Sequence, residues 1–221
     1  MLNRLLLLLF FPSLLFAQTK NISLDEIWSG EFSEKHLKNF IPLNNNEYTT
    51  LNFDFKTRSS FVIKHSFENK KTDTILNNQF FKNVSIFDTY SFSPDETKIL
   101  FRTNRRQIFR HSVEGVYYLY NLTTQQLTKI NKDRINEPTF SPDGNKIAFV
   151  QKNNIYIYDL KSNTSKQITS DGKRNEIING TTDWVYEEEF GFVRAFEWNN
   201  NSSKIAYLKF NEKEVPEYAM N

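Results

Sequence analysis

The sequence contains no cysteine, and this absence excludes disulfide bonds, thiolate metal sites and cysteine nucleophiles. Its three histidines, His36, His65 and His111, lie far apart and show no metal-ligand spacing. We therefore predict neither a metal site nor a cofactor. The net charge of +2, with lysine and glutamate interspersed, leaves no basic stripe, so no nucleic-acid partner is predicted.

Glycine is also scarce, with six residues at positions 30, 115, 144, 172, 180 and 191. A serine hydrolase of the α/β type needs a G-x-S-x-G elbow, in which two glycines stand four positions apart. No two of these glycines have that spacing, and the alternating strand–helix pattern of such a domain is missing too. We therefore expect no catalytic residue in this chain, and no hydrolysis by these 221 residues alone.

Long apolar runs are absent except at the N-terminus. Arg4 precedes an apolar stretch over residues 5–16, interrupted only at Pro12 and Ser13, and Ala17 offers a small residue for cleavage. About 12 apolar residues are too few to span a bilayer. We predict a signal peptide over residues 1–17 and an exported protein, periplasmic or secreted and bacterial, without a membrane anchor after cleavage; an uncleaved anchor is the alternative.

Aromatic residues, by contrast, make up 15% of the chain and mark an internal repeat. The segments 91–103 (SFSPDETKILFRT) and 139–151 (TFSPDGNKIAFVQ) align without a gap, and 197–209 (EWNNNSSKIAYLK) keeps their frame with a degenerate turn. A weaker copy is 39–51 (NFIPLNNNEYTTL). The aligned aromatic residues are 52, 48 and 58 positions apart: Phe40, Phe92, Phe140 and Trp198. Periods near this length are typical of propeller blades.

Each copy has the pattern of a strand, a tight turn and a second strand. Pro142 presets φ for the turn, Asp143 can bond its own backbone, and Gly144 tolerates a positive φ. Further alternating segments follow, so about four short antiparallel strands recur in each repeat. This predicts an all-β fold of about four β-propeller blades, whereas a β-sandwich would not require a turn recurring in one frame. We expect residues 18–46 to lead into the first blade and residues 47–221 to form a partial propeller.

Two short helices are predicted. Ser23 and Glu26 have the spacing of a capping box. Asp183 can cap a second helix, an insertion in the blade pattern that carries three consecutive glutamates at 187–189. Such a triplet is either a solvated acidic surface or a binding site for a cation. Trp184 and Tyr186 are expected to pack this helix onto the propeller.

Four segments resemble the dipeptidyl peptidase IV family, in the prolyl oligopeptidase group of serine peptidases. They are FRHS (109–112), NNIYIYDL (153–160), DWVYEEEF (183–190) and NEKEVPEY (211–218). The resemblance runs from about residue 22 to the C-terminus, and the acidic octapeptide is its most specific part. It implies an eight-bladed propeller followed by an α/β-hydrolase domain, and removal of Xaa-Pro or Xaa-Ala dipeptides from free peptide N-termini.

The resemblance also implies roles for individual residues. Glu188 and Glu189 match the pair that holds the substrate's α-ammonium group. Arg110 matches the arginine that contacts a substrate carbonyl and supports that pair. Glu187 matches a position without a ligand role and is expected to be scaffold. His111 is expected to be structural, because no serine–acid pair accompanies it.

About half of the implied blades and none of the implied hydrolase domain are found in these residues. We expect a partial sequence of a longer peptidase, with a truncated product as the alternative. The expected partners are peptides with a free N-terminus, the missing C-terminal α/β-hydrolase domain and a second copy in a homodimer. The alternative function is a non-catalytic periplasmic propeller that binds peptides or proteins.

Overall fold

The computed structural model describes residues 21–33 and 39–218. The chain divides into two compact units, residues 1–36 and 37–221. In the first unit, helix α1 spans Leu24–Trp28, and Ser23 is its N-cap. The Ser23 hydroxyl accepts a hydrogen bond from the Glu26 N–H, and the Glu26 carboxylate accepts one from the Ser23 N–H. The predicted capping box is therefore confirmed. The predicted signal peptide, residues 1–17, lies outside the described residues and stays a prediction.

The described part of the second unit contains three antiparallel sheets of four strands, each ordered as the chain runs. The first contains β1 (Ile41–Leu43), β2 (Glu47–Asp54), β3 (Ser59–Ser66) and β4 (Thr72–Asn77), and a 3₁₀ turn (Asn78–Phe80) follows it. The second contains β5 (Phe87–Phe92), β6 (Lys98–Gln107), β7 (Val113–Asn121) and β8 (Leu127–Lys129). The third contains β9 (Asn136–Phe140), β10 (Lys146–Gln151), β11 (Asn154–Asp159) and β12 (Thr164–Gln167). These sheets confirm the predicted propeller-type blades.

The fourth repeat forms two strand pairs instead of one sheet. Its elements are β13 (Ile177–Asn179), helix α2 (Trp184–Phe190), β14 (Phe196–Trp198), β15 (Ile205–Tyr207) and β16 (Lys209–Asn211). Strand β14 pairs with β15, and β13 pairs with β16. Between β15 and β16, the Leu208 N–H donates to the Ala195 carbonyl while its own carbonyl accepts from the Gly180 N–H. Residues 205–211 thus pair both with the chain that precedes α2 and with the chain that follows it.

The repeated turns explain why the sequence copies share a frame. Phe92, Phe140 and Trp198 pair with isoleucines seven positions later: Ile99, Ile147 and Ile205. In the third sheet, the Ser141 hydroxyl donates to the Asp143 carboxylate at 2.6 Å. That bond, with one from the Asn145 backbone, lowers the pKa of Asp143 to about 2. The lowered pKa keeps the carboxylate ionised, and so bonded in the turn, to a lower pH than an unpaired aspartate.

The weakest copy departs from this frame. Leu43, not Phe40, ends its first strand, and it pairs with Glu47 across the three residues 44–46. Asn45 and Asn46 take left-handed backbone conformations there, with φ of 63° and 55°. The first sheet begins at Ile41, and its first turn is shorter than the Ser-Pro-Asp-Gly turns because these asparagines tolerate positive φ.

The core lies between neighbouring sheets. One cluster joins the first and second sheets, a second joins the second and third, and a smaller one joins the third to the fourth repeat. Phe101 and Phe149 are fully buried in the first two clusters. Within the described ranges, no helix is long and apolar enough to cross a membrane.

Two glycines at the fourth repeat allow a matched test of this packing. Gly180 and Gly191 both have positive φ, of 81° and 69°. A Cβ at Gly180 would lie 2.7 Å from Ile155 Cγ1, whereas a Cβ at Gly191 would meet nothing within 4 Å. We expect Gly191→Ala to lower the free energy of unfolding by about 1–2 kcal/mol, the cost of the backbone conformation alone. Gly180→Ala should cost about 1–3 kcal/mol more, because it overpacks the core. Urea unfolding measures both, and equal losses would contradict the close contact with Ile155.

Candidate functional site

Helix α2 carries the acidic motif, and local sequence defines both of its ends. The Asp183 carboxylate accepts a hydrogen bond from the Tyr186 N–H at 2.8 Å, which confirms the predicted N-cap. Gly191 ends the helix in the left-handed conformation, where a residue without Cβ carries no steric penalty. The Tyr186 ring lies edge-on to Phe210, with 4.9 Å between ring centroids, so this residue packs the helix onto β16 as predicted.

Trp184 was also predicted to pack α2 onto the propeller, but 56% of its surface is exposed. Successive helical residues are rotated by about 100° about the axis. Tyr186 and Trp184 therefore face different directions: the Tyr186 ring packs on Phe210, whereas more than half of the Trp184 surface lies in solvent. Trp184 lines a cavity of about 810 Å³ together with Phe109 and Ser112. The exposed cations Lys152, Lys173 and Arg174 lie along the same cavity.

The loop at residues 108–112, which joins β6 to β7, carries Arg110. It closes on itself, because the Ile108 N–H donates to the Ser112 carbonyl at 2.9 Å and the Phe109 N–H donates to the Ser112 hydroxyl at 3.1 Å. The Gln107 side-chain amide also donates to the Arg110 carbonyl at 3.0 Å. These bonds give the loop a defined backbone and leave the Arg110 side chain outside it.

The structure brings Arg110 to Glu188. Arg110 Nε lies 3.3 Å from Glu188 Oε2, and the two side chains are 73% and 16% exposed. Glu189, the next residue of α2, is exposed, and no hydrogen bond or ion pair reaches it within the described part of the chain. Arg110 thus pairs with one of the two carboxylates, and Glu189 has no counter-ion among the described residues.

Glu187 is the buried member of the triplet. Its side chain is fully buried, and its Oε1 atom accepts hydrogen bonds from the His111 N–H at 2.5 Å and the Ser112 N–H at 2.8 Å. Burial opposes its ionisation, but hydrogen bonds from Ser112 and the His111 backbone outweigh it and lower the pKa of the carboxyl. Its Oε2 atom is buried without a hydrogen-bond partner in the described residues. Glu187 is thus scaffold, as predicted, and it joins α2 to the Arg110 loop.

A second acidic residue near the site was missed in the sequence. Glu137 takes a left-handed backbone conformation in β9, with φ of 51°. Burial raises the pKa of its carboxyl; Arg194 and Arg102 oppose this rise, and the charge of Glu187 adds to it. Arg102 itself pairs with Asp88 through two hydrogen bonds of 2.9 and 3.0 Å. The sequence signal was the charged Arg102, which directly follows the apolar residues 99–101 of β6. No group of three or more acidic or histidine side chains among residues 21–33 and 39–218 is arranged to hold a metal ion.

The four-stranded antiparallel blades define a β-propeller-like protein. Its candidate site is the contact between Arg110 and Glu188, which come from different repeats. The family model for the dipeptidyl peptidase IV (DPP IV) N-terminal region matches residues 93–221. The chain belongs to this family.

Relatives and a solved structure show the same similarity. The chain is 33% identical to prolyl endopeptidase FAP of Bos taurus over 203 residues, which are 90% of this chain and 26% of that protein. It is 38% identical to dipeptidyl peptidase 4 of Sus scrofa over 175 residues, 71% of this chain and 23% of that protein. The crystal structure of Porphyromonas gingivalis dipeptidyl peptidase 4 matches with a TM-score of 0.78 and 31% identity, covering 90% of this chain and 29% of that one. The chain therefore spans about a quarter of the length of these relatives.

Proposed function

We propose that this chain is the substrate-recognition part of an exported, dipeptidyl peptidase IV-like serine exopeptidase. In this proposal the enzyme removes Xaa-Pro or Xaa-Ala dipeptides from free peptide N-termini. The proposal is supported by family membership and by one observation above all, the contact of Arg110 with Glu188 beside the exposed Glu189. Export is supported only by the apolar N-terminal sequence.

The three side chains suit the ammonium group of a peptide. An ammonium presents three donors, and two carboxylates can accept from them through charge-assisted hydrogen bonds. Glu188 and Glu189 supply those acceptors in this proposal. Arg110 offsets part of their charge and presents a planar fork of donors to a substrate carbonyl. A peptide with a blocked N-terminus would bring no positive charge to the carboxylates, and only the pairing of Glu188 with Arg110 would remain.

Such a site also selects for length. A peptide chain spans about 3.3–3.6 Å per residue. An ammonium site held two residues from a nucleophile therefore directs cleavage after the second residue. Because these 221 residues contain no G-x-S-x-G elbow, the nucleophile would belong to a hydrolase domain outside them.

The proposal is tested with the full-length protein and two chromogenic substrates. We expect turnover of Gly-Pro-p-nitroanilide, and a kcat/KM at least about a thousandfold lower for its N-acetylated form, because acetylation removes the charge that the carboxylates bind. Equal turnover of both substrates would contradict an ammonium site. Peptide binding without any hydrolysis would instead favour a non-catalytic binding module.

A further inference from the structure

Two backbone hydrogen bonds connect parts of the chain that lie 75 and 76 positions apart. Both end on the same atom, Oε1 of Glu187, and both come from the loop at residues 108–112. The donors are the consecutive N–H groups of His111 and Ser112. Glu187 directly precedes Glu188 on α2, and His111 directly follows Arg110 on the loop. The two bonds therefore connect the loop to α2 at residues directly next to Arg110 and Glu188.

The Arg110–Glu188 contact is too exposed to position these elements by itself. With 73% of its surface in solvent, the Arg110 side chain makes an ion pair that water and salt weaken. The Glu187 bonds are different in kind, because their acceptor is a fully buried carboxylate whose pKa these bonds lower. Charge-assisted bonds to backbone N–H groups are short and strong, and burial removes competition from water.

We infer that Glu187 is a positioning residue that holds the 108–112 loop against α2 and so keeps Arg110 in place beside Glu188. The kinetic consequence of this inference rests on the proposed function, whereas the structural consequence does not. Glu187 itself has no exposed surface through which to touch a substrate. It acts only through the loop.

Amide hydrogen exchange in the full-length protein tests the structural part. We expect Glu187→Ala to speed exchange of the His111 and Ser112 amides by about tenfold or more, since both lose a bond to a charged acceptor. Exchange of the Ala148 and Val150 amides in β10 should not change. Glu188→Ala is the matched control on the same helix, and it should leave the His111 and Ser112 amides within about twofold of wild type. Unchanged exchange in Glu187→Ala would overturn the inference.

A second variant covers the case in which Glu187→Ala does not fold. Glu187→Gln keeps an acceptor oxygen at the same place and removes only the charge. We expect exchange intermediate between wild type and the alanine variant, and exchange identical to wild type would contradict a role for the charged carboxylate.

Kinetics with Gly-Pro-p-nitroanilide test the functional part. We expect Glu187→Ala to raise KM by about tenfold or more and to change kcat much less, because a misplaced Arg110 weakens binding and not the chemical step. Glu187→Gln should recover part of the loss. Faster amide exchange with unchanged KM would overturn the positioning role. If the protein does not turn over free-N-terminus substrates, the proposed function is wrong and the kinetic test does not apply. The amide exchange result still decides whether Glu187 holds the loop.

Discussion

Replacing Glu188 and Glu189 together by glutamine is expected to lower kcat/KM for Gly-Pro-p-nitroanilide in the full-length protein by about a thousandfold or more. Glutamine retains the size and one acceptor oxygen of glutamate but loses its charge. Each charge-assisted bond to the substrate's ammonium contributes about 1.5–3 kcal/mol, so two of them correspond to about two to four orders of magnitude. Steady-state kinetics with free and N-acetylated substrates provide the measurement.

The same double variant separates lost binding from lost folding. The double variant loses only the ion pair of Glu188 with the exposed Arg110, and such surface pairs contribute little to stability, so the thermal midpoint should stay nearly unchanged. Glu68→Gln is the matched control, because Glu68 is also exposed but lies in the first sheet's β3–β4 turn. We expect wild-type kinetics from that control. Unimpaired turnover by the double variant would reject the ammonium site, whatever its stability.

The repeated sheets could be predicted because their turns are local. Ser141, Asp143 and Gly144 interact within a few residues, and the same chemistry recurs where the sequence recurs. The split of the fourth repeat could not be predicted in this way. It depends on Leu208 bonding to both Ala195 and Gly180, which lie 13 and 28 positions away and have no sequence pattern in common.

The acidic motif shows a second limit. Three consecutive glutamates are chemically identical in sequence, and only the helical rotation of about 100° per residue makes them different. That rotation buries Glu187 against the Arg110 loop, leaves Glu188 mostly covered beside the guanidinium and exposes Glu189. The resemblance to a known family separated the last two glutamates from the first. Glu187 differs from the other two because it accepts hydrogen bonds from the His111 and Ser112 N–H groups. These groups lie 76 and 75 positions away, so this difference is visible only in the structure.

The site depends on neighbouring repeats keeping their positions, because Arg110 and Glu188 come from different repeats. The cluster between the second and third sheets contributes to that arrangement. Leu100 and Tyr117 lie on its second-sheet side, and Ile147 and Phe149 lie on its third-sheet side. Phe149 is fully buried there and stacks on Tyr156 with 5.5 Å between ring centroids. Damage to this cluster should therefore lower stability and, through it, the integrity of the site.

Phe149→Ala is expected to lower the free energy of unfolding by about 3–5 kcal/mol, because it removes a buried aromatic side chain and leaves a cavity that surrounding β-strands cannot fill. Urea unfolding of the full-length protein measures the loss. Phe55→Ala is the matched control, since Phe55 is 79% exposed and should cost less than about 1 kcal/mol. Phe149→Leu, which retains most of the buried apolar volume, should recover more than half of the stability that alanine loses. Equal losses for Phe149→Ala and Phe55→Ala would mean that the sheets are not held together by the cluster between them, and the contact between Arg110 and Glu188 would then need another source of rigidity.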